Sequence, residues 1–313
     1  MTTKKTSSGA KVGKTFLGKL KKNCTRCTPQ TIKVYIRNIK RLHALISDGE
    51  GIPETGGWLN STKLFEKFKK LPLNQRRPLS VAAVKAGKTY KSKIEKWETL
   101  MYKAQSEYNS QRNKNLKSET EKKKWPKGGF TSIKKAALEQ KRRLRHILKS
   151  EPTLKGMYKY QFFIVLKLFT ELPFRNTFAD LEVEKGTGNY LDIPKKGSIK
   201  IILTKYKNVK QLGPKEFTLN RSNTTQLRKF LKYREGLVDH KFLLSTKNGK
   251  RMTKSAMGKG LHKVTMDLLG KSFGSRIIRV LAATESKADI DKITDLSNKM
   301  LHTTAQTKQY TRK

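Results

Sequence analysis

The sequence holds two cysteines and only 24 acidic residues in 313 positions, and its apolar runs are short. Cys24 and Cys27 form a lone Cys-x-x-Cys. Read as half a zinc site, they have His43 as a distant third ligand. No second Cys/His pair follows to complete four ligands locally, so two reduced thiols in an intracellular protein are the expected state. No apolar run approaches the roughly 20 residues of a membrane-spanning helix, and no signal-peptide pattern opens the chain. Neither a carboxylate cluster nor a phosphate-binding glycine loop is present, which fits a chemistry that needs no metal and no cofactor.

Positive charge is what the chain has in excess. Against those 24 acids stand 71 lysines and arginines, for a formal net charge of +47. Such a field repels itself and calls for a polyanion; double-stranded DNA, with one charge per about 1.7 Å of axis, is the natural partner. RNA or an anionic membrane surface would also carry the charge, but no aromatic platform motif for RNA is visible. The expected location is therefore intracellular, with DNA. At 313 residues the chain has room for two domains with real cores, at roughly 100–200 residues each.

Residues 1–27 read as a flexible basic arm, rich in Lys, Gly, Ser and Thr up to residue 23. A helical domain over 28–110 follows. Thr28-Pro29 supplies a cap and a first-turn proline, and Ile32, Tyr35, Ile36, Ile39, Leu42 and Ile46 recur at helical spacing until Asp48-Gly49. Ser61 caps a short helix with Leu64, Phe65 and Phe68. A long helix after Pro78 carries Tyr90, Ile94, Trp97, Met101, Ala104 and Tyr108 as a core stripe, and its other face carries lysines suited to phosphates or to water. Residues 111–150 read as a basic linker followed by a helix bearing Lys141-Arg142-Arg143-Leu144-Arg145. That face suits either solvent or a DNA backbone.

A second domain spans 151–313. Residues 158–170 are apolar on most faces and predict a central buried helix. Residues 199–203 and 216–219 predict a strand pair separated by a lysine-rich turn, and helices dominate from Asn223 onward. The predicted fold class is mainly α with a small antiparallel β-sheet.

Four segments of this second domain carry chemistry. They are Leu172-Pro173-Phe174-Arg175-Asn176-Thr177-Phe178-Ala179-Asp180-Leu181, the hairpin tip Lys205-Tyr206-Lys207-Asn208, Gly274-Ser275-Arg276-Ile277-Ile278-Arg279, and His302 through Tyr310. A tyrosine hydroxyl is a poor nucleophile in water, with a pKa of about 10. Beside a phosphorus clamped by arginines it can attack and form a phosphotyrosine. In this order the four segments resemble the catalytic domain of the tyrosine recombinases, the integrase family. The pattern is most similar to the lysine-rich branch carried by large DNA viruses and their satellite viruses. The helical region 28–110 is similar to that family's core-binding domain, which clamps DNA.

The resemblance implies a metal-free mechanism. Arg175 and Arg279 would hold the non-bridging oxygens of the scissile phosphate, a bidentate task to which lysine is poorly suited. Tyr310 would attack phosphorus, leaving a 3′-phosphotyrosine and a free 5′-hydroxyl. Lys207 would protonate the departing oxygen, with Lys205 and Lys210 as neighbouring alternatives, and His302 would hydrogen-bond the phosphate. Three positions depart from the family's pattern. Arg276 stands where a histidine is usual, and arginine cannot accept a proton. Pro173-Phe174 replaces the glycine before the first arginine, and Leu301 replaces the glycine before the histidine. The resemblance further implies a homotetramer on two DNA sites, in which the two domains of each protomer clamp the duplex. The implied function is integration or excision of a viral or mobile-element genome. The alternative is a non-catalytic basic DNA-binding or packaging protein, including a degenerate recombinase.

Overall fold

The computed structural model describes residues 14–47 and 52–312. Residues 1–13 of the expected arm and the Asp48-Gly49 helix stop lie outside the described residues. The chain divides between Lys114 and Asn115 into two compact units, each with its own apolar core.

In the first unit, helices α1 (Lys14–Lys22), α2 (Pro29–His43), α3 (Thr62–Lys69), α4 (Leu73–Tyr90) and α5 (Glu95–Asn113) surround one core. Part of the expected arm is therefore a helix: α1 buries Phe16 and Leu20, and the Phe16 ring stacks on Tyr90 at 4.6 Å. The spacing of those two residues, one turn apart, was masked in the sequence by the surrounding lysines. Cys24 and Cys27 are not free thiols but are joined in a disulfide, in a turn where the Cys27 amide donates to the Cys24 carbonyl. Their Cα atoms lie 5.3 Å apart, inside the range a disulfide spans. Helix α2 starts as expected, with the Thr28 hydroxyl accepting from the Thr31 amide and Ile32, Ile39 and Leu42 buried. The expected long helix is instead two. Lys91 adopts a left-handed conformation (φ 56°) and ends α4, while the Tyr90 hydroxyl is tied to the Pro53 carbonyl. Pro78 lies inside α4 and does not open it. Trp97 is fully buried, its indole N–H donating to the Leu59 carbonyl, whereas Tyr108 leaves the core and stacks under Arg77.

The second unit begins with α6 (Glu119–Lys124) and α7 (Thr131–Arg143), so the expected linker is largely folded. On α7, Arg142 and Arg143 pair with Glu139 of their own helix. Helix α8 (Leu154–Phe169) is the predicted central helix; eleven of its sixteen residues are buried. Strands β1 (Leu181–Glu182), β2 (Asn189–Asp192), β3 (Lys200–Leu203) and β4 (Lys215–Thr218) form one sheet in that order, with the short helix α9 (Val209–Leu212) at the β3–β4 tip. The sheet is mixed, not purely antiparallel. β3 pairs antiparallel with both β2 and β4, but β1 pairs parallel with β2, Leu181 opposite Asn189. The predicted strand pair appears as β3 and β4, whereas β1 and β2 were not predicted, and the two residues of β1 offer no alternation to read. Helices α10 (Arg221–Arg234), α11 (Lys254–Leu269), α12 (Ser275–Glu285), α13 (Ile290–Met300) and α14 (Thr304–Lys308) complete the unit. Helix α11 approaches α8 through Gly260, where a Cβ would lie 2.1 Å from the Phe162 ring. Among the described residues no helix is long and apolar enough to cross a membrane.

Candidate active site

Arg175 and Arg279 are positioned by apolar neighbours in the chain. Arg175 sits at the start of a 3₁₀ turn, Asn176–Asp180, between the fully buried rings of Phe174 and Phe178. Those rings meet each other at 5.3 Å, Phe178 meets Phe169 at 5.1 Å, and Phe174 meets Phe217 at 5.1 Å. The backbone that launches Arg175 is thereby locked onto α8 and the sheet. Arg279 lies on the inner face of α12, flanked by Ile278 and Val280, and is itself buried.

His302 follows the end of α13. Leu301 caps that helix in the left-handed region (φ 57°, ψ 48°), and the His302 amide donates back to the Ser297 carbonyl. A glycine is strain-free there, whereas an L-residue costs roughly 1–2 kcal/mol. Leu301 is buried in the core of the unit, and that burial offsets the backbone cost.

These elements bring four of the six expected residues into direct contact. Nη2 of Arg175 lies 3.0 Å from His302 Nε2, and Nη2 of Arg279 lies 3.3 Å from the same nitrogen. Nη2 of Arg279 also donates to the Tyr310 hydroxyl, with the guanidinium 4.7 Å from the centre of the tyrosine ring. The His302 and Tyr310 rings are 5.1 Å apart. No acidic side chain pairs with Arg175 or Arg279 among the described residues. Burial pushes Arg279 down to about 10; Tyr310 opposes this shift, while Arg175 and Arg276 add to it.

Burial, and then the charges of Arg279, Arg175 and Lys207, push His302 down to about 3. The imidazole is therefore neutral at ordinary pH. With Nε2 accepting from two guanidiniums, Nδ1 carries the hydrogen, and that buried atom has no partner among the described residues.

Lys207 is near enough for its charge to act on His302, and Lys205 is not among the groups that do so. Two asparagines fix the loop that carries both lysines. Buried Asn189 accepts from the amides of Thr204 and Lys205 and donates to the Lys205 carbonyl. Asn208 donates to the Leu301 carbonyl at 2.9 Å, joining the lysine loop to the histidine turn. Nothing in the sequence distinguishes Asn189 from other loop asparagines; its role comes from the β1–β2 pairing. Arg276 stands apart. Its side chain is largely exposed and pairs with Glu121 at 3.3 Å, so it reaches the cluster only through its field on Arg279. No group of His, Cys, Asp and Glu side chains among the described residues could hold a metal ion.

The site is thus a cationic cradle around a neutral histidine and a tyrosine hydroxyl, which suits a phosphate group. No protein-family model and no curated protein matches the sequence. Solved structures do share its architecture. XerH site-specific recombinase bound to difH substrate, a pre-cleavage complex, aligns with a TM-score of 0.57 over 95% of this chain and 80% of that one. The XerH post-cleavage complex on palindromic difH aligns at 0.55 over 94% and 80%; both are 13% identical to this chain. The chain shares the fold of these site-specific recombinase structures. At this identity the likeness concerns the recombinase fold alone.

The state of His302 has a measurable consequence. Its folded pKa lies below the ordinary value of 6.5, so the unfolded chain takes up a proton that the native site excludes. Its contribution to stability is complete above pH 6.5 and is lost as pH falls toward 3. Denaturant melts of His302→Asn should accordingly show a shallower loss of stability across that window than wild type. Parallel curves would mean that the imidazole is not held neutral by its surroundings.

Proposed function

We propose that the protein is a tyrosine-type site-specific DNA recombinase that cleaves and rejoins strands through a 3′-phosphotyrosine. One observation carries this reading: Arg175 and Arg279 converge, without a counter-carboxylate, on His302 and the Tyr310 hydroxyl. In the proposed reaction the two guanidiniums grip the non-bridging oxygens. The Tyr310 oxygen bonds to phosphorus as the bond to the 5′-oxygen breaks, and Lys207 gives that oxygen its proton. Neutral His302 offers its Nδ1 hydrogen to the phosphate, Arg276 can supply only charge, and the tyrosine proton leaves to solvent. Rejoining reverses each step, and the phosphodiester energy is kept in the covalent link.

The net charge and the helical unit up to Lys114 support double-stranded DNA as the substrate, and the family resemblance of the four segments supports four protomers on two sites. The pattern of the four segments supports integration or excision of a viral or mobile-element genome. A second reading, a degenerate recombinase that binds without cutting, is favoured by Arg276, which replaces the usual histidine and turns toward Glu121. A duplex carrying the element's terminus, nicked just beyond the scissile phosphate, separates the two. Cleavage would release a short fragment and trap an adduct that resists heat and detergent but not protease. No adduct on any terminus would leave the binding reading in place.

Affinity provides a second test. It should fall steeply with salt, by a log–log slope of roughly −0.9 per phosphate neutralised. Removing residues 1–13 takes away Lys4, Lys5 and Lys11; the slope should flatten by at most about 2.7, three times the per-phosphate value. A cut at residue 23 would be a poor test, because it also removes the buried Phe16 and Leu20. Salt-insensitive affinity would remove the polyanion argument.

A further inference from the structure

Among the described residues two acidic side chains are buried outside the four segments, Glu182 and, more deeply, Glu121. Glu121, on α6, is only 2% exposed. Its carboxylate is filled. Oε2 accepts from Nε of Arg312 at 3.0 Å and from the Ser118 amide at 3.0 Å. Oε1 accepts from Nη2 of Arg312 at 3.1 Å and from Nη2 of Arg276 at 3.3 Å. Burial alone would raise the carboxyl pKa, but the bonds from Arg312 and Ser118 and the charges of Arg312 and Arg276 hold it below the usual range.

The Arg312 guanidinium is used on both edges. While Nε and Nη2 grip Glu121, Nη1 donates to the carbonyls of Gln309 at 2.9 Å and Thr311 at 2.7 Å. Those two carbonyls flank Tyr310. The Arg312 amide also donates to the Thr284 hydroxyl on α12. On the other side of the tyrosine, α14 is closed by a capping box between Thr303 and Gln306. The backbone at Tyr310 is therefore stretched between a capped helix and a guanidinium whose own anchor is Glu121. The second arginine on that carboxylate, Arg276, lies one turn before Arg279 on α12. A single carboxylate thus ties the strand bearing the hydroxyl to the helix bearing the guanidinium that contacts it.

We propose that Glu121 is a positioning residue for Tyr310, acting through Arg312 to hold the nucleophile in register with Arg279. The proposal rests on the recombinase reading and adds to it a residue that touches neither DNA nor the reacting atoms. A planar, bidentate pair suits this task because it fixes orientation as well as distance. Lysine at 312 would keep the charge but could not bridge Glu121 to two carbonyls. Removing one partner leaves the other charge buried and uncompensated, so the strand should leave its seat.

The test uses the full chain and the nicked duplex at saturating protein, so that the rate of adduct formation is read apart from affinity. Glu121→Gln keeps the shape of the side chain, and Arg312→Lys keeps the charge. Each should slow adduct formation about 100-fold, the effect of roughly 1 Å of misplacement, with DNA affinity within about threefold of wild type. The double variant Glu121→Ala/Arg312→Ala should be no slower than the worse single, as for two residues of one unit. Hydrogen exchange gives a readout that needs no DNA: amides 309–312 should lose protection in Glu121→Gln while those of α8 keep theirs. Wild-type rates in both single variants, or losses of rate and affinity in equal proportion, would overturn the proposal. Unchanged exchange at 309–312 would do the same. A wild type that forms no adduct would instead sink the recombinase reading, and the exchange result would still decide whether Glu121 anchors the strand.

Discussion

Replacing Tyr310 by phenylalanine should stop covalent capture of DNA and leave the protein folded and bound. The substitution removes one oxygen from a half-buried ring that already packs beside His302 and Arg279. What is lost structurally is one hydrogen bond from Arg279, worth about 1.5–3 kcal/mol for a charged donor. The basic surface is untouched, so affinity and its salt slope should match wild type. The chemical loss is complete, because a phenyl ring has no atom to join phosphorus. On the nicked duplex, wild type should yield a protease-sensitive band that survives denaturation, and Tyr310→Phe should yield none. An adduct in the mutant would mean that another residue is the nucleophile. In that case the contact between Arg279 and the Tyr310 hydroxyl would be structural.

The second large effect is expected at the two arginines. Arg175→Lys and Arg279→Lys each keep a positive charge but lose the planar fork. Arg279 is the more sensitive, because one guanidinium there reaches both His302 and Tyr310 from a buried position. Each variant should cut the single-turnover cleavage rate by roughly 10²–10³-fold, the scale of losing one preorganised donor to a developing anion. DNA affinity should change little, since the two sites are a small part of 71 cations. Cleavage at the wild-type rate in both variants would show that the phosphate is gripped elsewhere. By contrast, Arg276→His should retain or raise activity. It exchanges an exposed arginine that lies outside the contact cluster for a residue that can accept a proton. Its effect also bears on Glu121, which would keep Arg312 as its partner.

Several features were legible because they depend on local pattern alone. Thr28-Pro29 starts a helix wherever it lies, since the hydroxyl and the missing N–H act on the adjacent turn. Residues 158–170 announce a buried helix because no polar face is available to meet water. The order of Arg175, Lys207, Arg279, His302 and Tyr310 could be read from the residues quoted around each. Other features misled for equally local reasons. The apolar stripe from Tyr90 to Tyr108 keeps helical spacing straight through Lys91, where the chain turns left-handed and starts a second helix. Lysines around Phe16 and Leu20 gave the look of a solvated arm to a segment that packs.

By itself the sequence determined the charge that demands a polyanion, the central helix of the second unit, and which side chains are chemically able to grip and attack a phosphate. The charge and the helix follow from residue type and short-range spacing, while the candidate side chains follow from the resemblance of the four quoted segments to the recombinase family. The tertiary structure alone decided that Arg175 and Arg279 meet at one nitrogen of His302, 127 and 23 residues away along the chain. It also turned Arg276 away from that cluster and gave Leu301 the left-handed turn that sets the histidine. It was the fold, too, that carried Glu121 across 191 residues to Arg312. The Ser118-x-x-Glu121 spacing could mark a capping box in the sequence, but not a buried carboxylate with two arginine partners. Pattern within one helix or strand is set by the geometry of neighbouring residues. Contacts between distant residues are set by how the apolar faces pack, and in this chain that packing chose among 71 interchangeable-looking cations the few that face the tyrosine.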